Sequence, residues 1–253
     1  MFRYAVPALS LLLAGCITLG DSDEPIASLR MPAPVPGSEK VAIVVLPGFG
    51  HGAGKLRDEG VHAALQRAWP EADVVLTSAT FAYYSAEVLQ SRLRLDVIAP
   101  LRAEGYETIW LAGGSLGGLG TMLYERHYPG EVTGLVLFAP FLGDDELHEE
   151  IADAGGIGAW NPGPVPARVD GDNFAREIWR VAAGWARDPV AAERAWIVCG
   201  VDDQHLEESR LLAAALPDGH YLEIDGGHTW ATWLRGAEQV AARIRATAAT
   251  PTP

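Results

Sequence analysis

From residue 41 onward, short runs of Val, Ile, Leu and Ala alternate with longer stretches in which apolar positions recur every three or four residues. The runs 41–46, 73–77, 108–112, 133–138, 195–199 and 221–224 are nearly continuously apolar. That pattern suits parallel strands buried on both faces, whereas one-sided strands alternate. Helical spacing covers 55–69, 86–104, 116–128, 205–216 and 230–246; in the third of these, Leu116, Leu119, Met122 and Leu123 share one face. Strand and helix in regular alternation predict an α/β fold, with an open, mostly parallel sheet of about six strands and helices on both faces.

The interval 140–194 breaks this rhythm, being far longer than a normal crossover. It holds Gly155-Gly156, the prolines 162, 164 and 166, and Trp160, Trp179 and Trp185. Two readings stay open: a surface insertion whose tryptophans pack back on the sheet, or a lid over a pocket for an apolar acyl or aromatic group.

The N-terminal segment follows a different logic. Arg3 precedes an apolar stretch over 4–13 that is too short to cross a bilayer as a helix. It ends in Leu13-Ala14-Gly15-Cys16, which resembles the lipobox of bacterial lipoproteins. The resemblance implies a signal peptide over 1–15, an acylated Cys16 as the new N-terminus, and a lipid anchor in the bacterial cell envelope, at the outer membrane facing the periplasm. The other reading is an ordinary secretory signal with Cys16 incidental. Residues 16–40, with Pro25, Pro32, Pro34 and Pro36 among polar residues, read as a flexible linker that would hold a domain over 41–253 away from the membrane. Cys199, in an apolar run, reads as a small buried hydrophobe with no disulfide to Cys16.

Charge narrows the possible partners. A net charge of −14 argues against nucleic acid, and Lys40 and Lys55 are the only lysines, so no polybasic patch exists for lipid headgroups. Removing 1–15 removes only Arg3 and moves the charge from −14 to −15.

One glycine-rich turn stands out. Gly113-Gly114-Ser115-Leu116-Gly117 lies between the apolar run ending at Ala112 and the helical pattern that follows. Such a strand–turn–helix lifts the serine side chain above the sheet edge, and residues without a Cβ let strand and helix pass closely. A serine hydroxyl becomes a useful nucleophile only beside a base, an acid that orients the base, and donors that hold the developing charge. Here the chain resembles the α/β-hydrolase superfamily of serine esterases over roughly residues 41–246. The resemblance implies Ser115 as nucleophile, an acid after a later strand and a histidine after the last one. Gly200-Val201-Asp202-Asp203 and Asp225-Gly226-Gly227-His228 occupy those places. Family spacing from Gly200 favours Asp203 over Asp202; the carboxylate not used would begin the next helix. His228 is preferred as base over His205 and His220, both of which read as surface residues. The oxyanion donors implied are Leu116 N–H and, from a loop resembling His-Gly-X with Pro47 in place of His, Phe49 N–H. The loop 226–233 also resembles the histidine loop of esterase-D and enterochelin-esterase relatives.

Cofactor motifs fail on inspection. Gly48-Phe49-Gly50-His51-Gly52-Ala53 formally fits G-x-G-x-x-A, yet the acidic residue expected to end the second strand, Asp73, begins it. The phosphate-loop pattern fails at Phe49 and Leu56, so neither a nucleotide nor another cofactor is expected. His148-Glu149-Glu150-Ile151-Ala152 lacks the second histidine of a zinc motif. His51 reads as a solvated loop residue that could still line the site.

The expectation is a serine hydrolase that cleaves carboxylic esters or thioesters through an acyl-enzyme on Ser115, with a small-molecule ester or acyl substrate as partner. An acyltransferase using the same triad and a non-catalytic envelope binding protein are the alternatives.

Overall fold

A computed structural model describes residues 19–248; residues 1–18, with the expected signal peptide over 1–15 and the expected acylation site Cys16, and residues 249–253 lie outside the described residues. Seven strands, β1 (Ser28–Met31), β2 (Val41–Leu46), β3 (Ala72–Thr77), β4 (Thr108–Gly114), β5 (Gly134–Phe138), β6 (Ala195–Gly200) and β7 (Tyr221–Ile224), form one sheet in the order β1-β3-β2-β4-β5-β6-β7. All neighbours are parallel except β1, which runs antiparallel to β3. The six apolar runs become β2–β7 with ends shifted by at most two residues.

β1 corrects the expected linker and adds a strand to the predicted sheet. Leu29 pairs with Leu76 and Arg30 with Val75, while Ile26, just upstream, is buried in the core. An edge strand needs a ladder on one side only, so four mostly exposed residues suffice.

Helices cover both faces. On one lie α1 (Ala53–Asp58) and α2 (Val61–Ala68), packed with the C-terminal helix Trp230–Ala248 over Val41, Ile43 and Val45. On the other, α3 (Phe81–Ser85), α4 (Leu89–Leu93), α5 (Ala99–Ala103) and α6 (Leu116–His127) cover Ala42, Val44 and Leu46. The alternation of β2 side chains between two clusters is the period of a strand buried on both sides. A π-turn over Arg94–Ile98 joins α4 to α5, with Ala99 N–H reaching Arg94 C=O; the wider turn precedes Pro100, which has no N–H to donate.

The long interval contains α7 (Asp145–Asp153), α8 (Phe174–Trp185) and α9 (Pro189–Ala192), followed after β6 by α10 (Leu206–Ala213) and after β7 by α11, the C-terminal helix. Its three tryptophans are buried in the core. Trp179 Nε1 donates to Leu142 O at 2.9 Å and Trp160 Nε1 to Glu150 Oε1 at 2.8 Å. Glu177 of α8 is 1 % exposed and sits between Arg126 of α6 and Arg180. Burial pushes its carboxyl upward, but the two guanidinium groups outweigh that and leave it below its usual range. The insertion is therefore fastened to α6.

Strand order sets the position of the site. From β2 the chain moves to β3 on one side, then crosses back to β4 on the other. Loops leaving the carboxyl ends of β2 and β4 diverge there, opening the crevice in which α/β sheets bind ligands.

Candidate active site

Ser115 follows the last residue of β4 and caps α6 with φ 53° and ψ −116°. A non-glycine residue held there is strained and points its side chain out of the turn. Ser115 N–H donates to Phe138 O at 3.0 Å, and its carbonyl accepts from the N–H groups of Gly118, Leu119 and Phe141. The turn is fixed by backbone on both sides.

Two glycines make this crossing possible. A Cβ on Gly113 would lie 2.2 Å from Gly117 O, and one on Gly117 would lie 2.5 Å from Leu46 O at the end of β2. No side chain fits at either position, so β2, β4 and α6 meet at backbone distance.

The loop after β2 lies directly against this turn. A Cβ on Gly48 would be 3.6 Å from Gly114 O and 3.9 Å from the Ser115 Cβ. Among the described residues, neither Phe49 N–H nor Leu116 N–H donates a hydrogen bond. Two backbone donors beside a serine at the start of a helix form a place where negative charge can be held.

Asp203 and His228 meet after β6 and β7. His228 Nδ1 lies 2.9 and 3.0 Å from the two Asp203 carboxylate oxygens. The Asp203 side chain is fully buried, while that of His228 is 25 % exposed, so the acid is sealed and the ring reaches solvent. His205 N–H also donates to Asp203 Oδ1 at 2.9 Å. Asp202 is exposed, and its N–H bonds Gly226 O; it also does not begin α10, where His205 is the cap.

Packed rings link His228 to the serine turn by two routes. Trp233 meets His228 edge-on at 4.8 Å, and a Cβ on Gly114 would touch the Trp233 ring at 3.2 Å. On the other side His205 meets His228 at 5.1 Å, Phe141 meets His205 at 6.1 Å, and Phe141 N–H holds the Ser115 carbonyl at 3.1 Å. His228 thus sits at the same sheet edge as Ser115, although no hydrogen bond joins the two among the described residues.

Three histidines differ from their sequence reading. His205 is not a surface residue: its side chain is 14 % exposed and Nδ1 lies 2.5 Å from Glu208 Oε1. Burial raises the Glu208 carboxyl, yet the His205 hydrogen bond and a backbone N–H more than compensate and keep it low. His220 is buried and stacks on Trp196 at 3.8 Å, with Nδ1 3.1 Å from Ala195 O. His51 is half-buried against Trp230, and burial followed by the Lys55 charge pushes its pKa down.

A cavity of about 270 Å³ opens beside the turn, beginning at Leu116 and continuing along α6 through Leu119 and Leu123. Phe81 and Tyr84 of α3, Phe141, Phe174 and the segment Val169–Gly171 also line its largely apolar wall, with Glu87 and Gln90 among the polar groups. The insertion contributes to the cavity through these residues and not through its tryptophans. Helical spacing marked Leu116, Leu119 and Leu123, but nothing marked the parts of the wall that come from α3 and the insertion. Cys199 is fully buried in β6 and burial pushes its thiol to about 12, so it is inert at neutral pH. Among the described residues, no group of His, Cys, Asp and Glu could hold a metal ion, and no helix is long and apolar enough to cross a membrane.

No family model and no curated protein sequence matches the chain. Solved structures do resemble it. Est1E from Butyrivibrio proteoclasticus superposes with a TM-score of 0.58 at 17 % identity, covering 88 % of this chain and 93 % of that one. The S-formylglutathione hydrolase FrmB from Staphylococcus aureus gives 0.58 at 13 %, over 87 % and 95 %. MPT51 from Mycobacterium tuberculosis gives 0.62 at 15 %, over 87 % and 92 %. At such identities the likeness establishes the fold, which is that of the α/β-hydrolases.

Proposed function

We propose that this protein is a serine hydrolase acting on carboxylic esters or thioesters. The observation that carries the reading is a strained serine beside two unengaged backbone N–H groups, on the same sheet edge as a histidine held by a buried aspartate. Ser115 Oγ attacks the acyl carbonyl while His228 takes its proton, and Asp203 keeps the imidazole oriented and stabilises its charged form. The tetrahedral oxyanion accepts hydrogen bonds from Leu116 N–H and Phe49 N–H. His228 then protonates the departing alcohol or thiol, leaving an acyl group on Ser115. Water, deprotonated by the same ring, releases the acid and restores the serine.

Esters are favoured by the apolar cavity starting at Leu116, which would receive the acyl group. The neighbours include ferulic acid bound to Est1E and a monoacylglycerol lipase from Paleococcus ferrophilus, both consistent with an acyl-ester substrate. A panel of p-nitrophenyl esters of increasing chain length tests the reading. Wild type should hydrolyse them with a chain-length preference, and Ser115→Ala should lose roughly 10⁴–10⁶-fold in kcat. Equal activity of the two proteins would overturn the assignment; a flat response to chain length would remove the acyl role of the cavity.

We also propose that the protein is held in the bacterial cell envelope by acylation of Cys16, as Leu13-Ala14-Gly15-Cys16 suggests. Radiolabelled palmitate should enter the wild type and not Cys16→Ser.

A further inference from the structure

The start of the described chain lies at the mouth of the candidate site. Leu19 C=O accepts from Ala82 N–H at 2.9 Å, so the segment is hydrogen-bonded onto α3. The next residue, Gly20 at φ 81°, lies so close to Thr80 that a Cβ there would fall 1.9 Å from the threonine hydroxyl. Further along, Tyr83 OH donates to Glu24 O, Asp96 accepts from Ile26 N–H, and β1 joins the sheet. The stretch read as a spacer is thus laid along the domain.

α3 is also the helix at the cavity entrance. Phe81 lines the cavity and meets Phe49, the residue of the proposed oxyanion loop, edge-on at 5.3 Å. Phe49 is 52 % exposed, Phe81 38 % and Leu19 53 %. Three large apolar side chains therefore face solvent around one opening, on one short helix, the loop beside it and the strand of chain bonded to it. Exposed apolar groups gathered at a site mark a surface that meets an apolar partner.

The length of the tether identifies that partner. Cys16 and Leu19 are separated by three residue steps, a reach of at most ~11 Å for any polypeptide. An acyl chain on Cys16 would hold Leu19 within that distance of the lipid headgroups, and α3, hydrogen-bonded to Leu19, would lie next to it. A wider separation would require breaking the Leu19–Ala82 bond and peeling the segment from α3.

We infer that the face bearing Leu19, Phe49 and Phe81 rests on the membrane that holds the lipid anchor, and that the cavity draws esters partitioned into that bilayer. The inference rests on the proposed ester hydrolysis and on the acylation of Cys16. With a mature charge of −15, contact is apolar, and the surface it fits is zwitterionic.

Two measurements on the acylated protein in phosphatidylcholine vesicles test this. For the first, a bimane is placed at Leu19→Cys or, as control, at Val190→Cys. Val190 is 77 % exposed in α9, just before the first residue of β6 and so at the sheet edge opposite the site; Cys199 is too buried to compete for label. Headgroup-region doxyl lipid should quench the label at 19 several times more than the label at 190. Equal quenching overturns the orientation. For the second, about nine Gly/Ser residues are inserted between Thr18 and Leu19, making the tether about four times longer and lowering local concentration roughly eight-fold. Turnover of a long-chain p-nitrophenyl ester in the vesicles should fall by a similar factor, with turnover of water-soluble p-nitrophenyl acetate unchanged. No fall overturns interfacial access. The premises fail separately: wild type inert toward both esters refutes the hydrolase and with it interfacial access, while the quenching still decides the orientation. A Cys16 that takes up no palmitate removes the tether and overturns the inference.

Discussion

The backbone of Ser115 stores strain that the fold must offset elsewhere, and its size can be measured without reference to activity. Replacing Ser115 by Ala removes the hydroxyl but keeps a Cβ at φ 53°, ψ −116°. Replacing it by Gly removes the Cβ as well. The strain on a non-glycine residue in so sparse a region is about 1–3 kcal/mol. Glycine recovers that but gives back roughly 0.5–1 kcal/mol through the greater freedom of the unfolded chain. Ser115→Gly should therefore be more stable than Ser115→Ala by about 1 kcal/mol, or about 2–4 °C in Tm for a chain of this size. Because both variants lack the nucleophile, lost hydroxyl contacts cancel in the comparison. Urea unfolding followed by far-UV circular dichroism reads the difference, with unchanged m-values showing that both variants expose the same surface on unfolding. Ser115→Ala equal to or above Ser115→Gly would refute the strained turn.

Other perturbations probe the acid, the cavity and the insertion. Asp203→Asn should lower kcat by about 10³–10⁴-fold through misorientation of His228, whereas Asp202→Asn, exposed and off the His228 ring, should change it little; steady-state rates on one soluble ester decide. Leu119→Trp places an indole in the cavity wall and should shift the chain-length optimum toward shorter acyl groups, while an unchanged profile would place the acyl group elsewhere. Glu150, hydrogen-bonded by Arg176 and then Trp160, is held at about 2 against an ordinary 4.5. A lowered carboxylate stabilises the fold above its unfolded value and loses that contribution as pH falls through the folded one. The Tm gap between wild type and Glu150→Gln should thus be constant above about pH 4.5 and close toward pH 2; with that side chain 45 % exposed, the gap is small. A gap that persists at pH 2 would contradict the Arg176 pairing.

What was legible in the chain follows from how each feature encodes itself. β2 to β6 announce themselves because both faces are buried and nearly every residue is apolar, while β7, a short edge strand, shows as a brief run broken by Glu223. Ser115, Asp203 and His228 stand in glycine-bearing turns at the ends of three such runs, so strand positions and residue type together pick them out. β1 left no comparable mark: an edge strand of four residues, paired on one side, can be mostly exposed and sit between prolines. The burial of His220 depends on β6 and β7 being in register, which brings its ring onto Trp196; a single-residue slip would have exposed it. His205 was hidden for a similar reason, since its neighbours Phe141 and His228 arrive from distant loops. The cavity depends on α3, α6 and the insertion converging, and Trp160, Trp179 and Trp185, the most conspicuous residues of the insertion, are spent on the core.

The most direct test of the central claim is covalent. Folded wild-type protein treated with a fluorophosphonate should gain the mass of one probe less HF, because Ser115 Oγ displaces fluoride from phosphorus; peptide mass spectrometry should locate the adduct on Ser115, and Ser115→Ala should gain none. Phosphonylation of another residue, or no labelling of the folded wild type, would contradict the account.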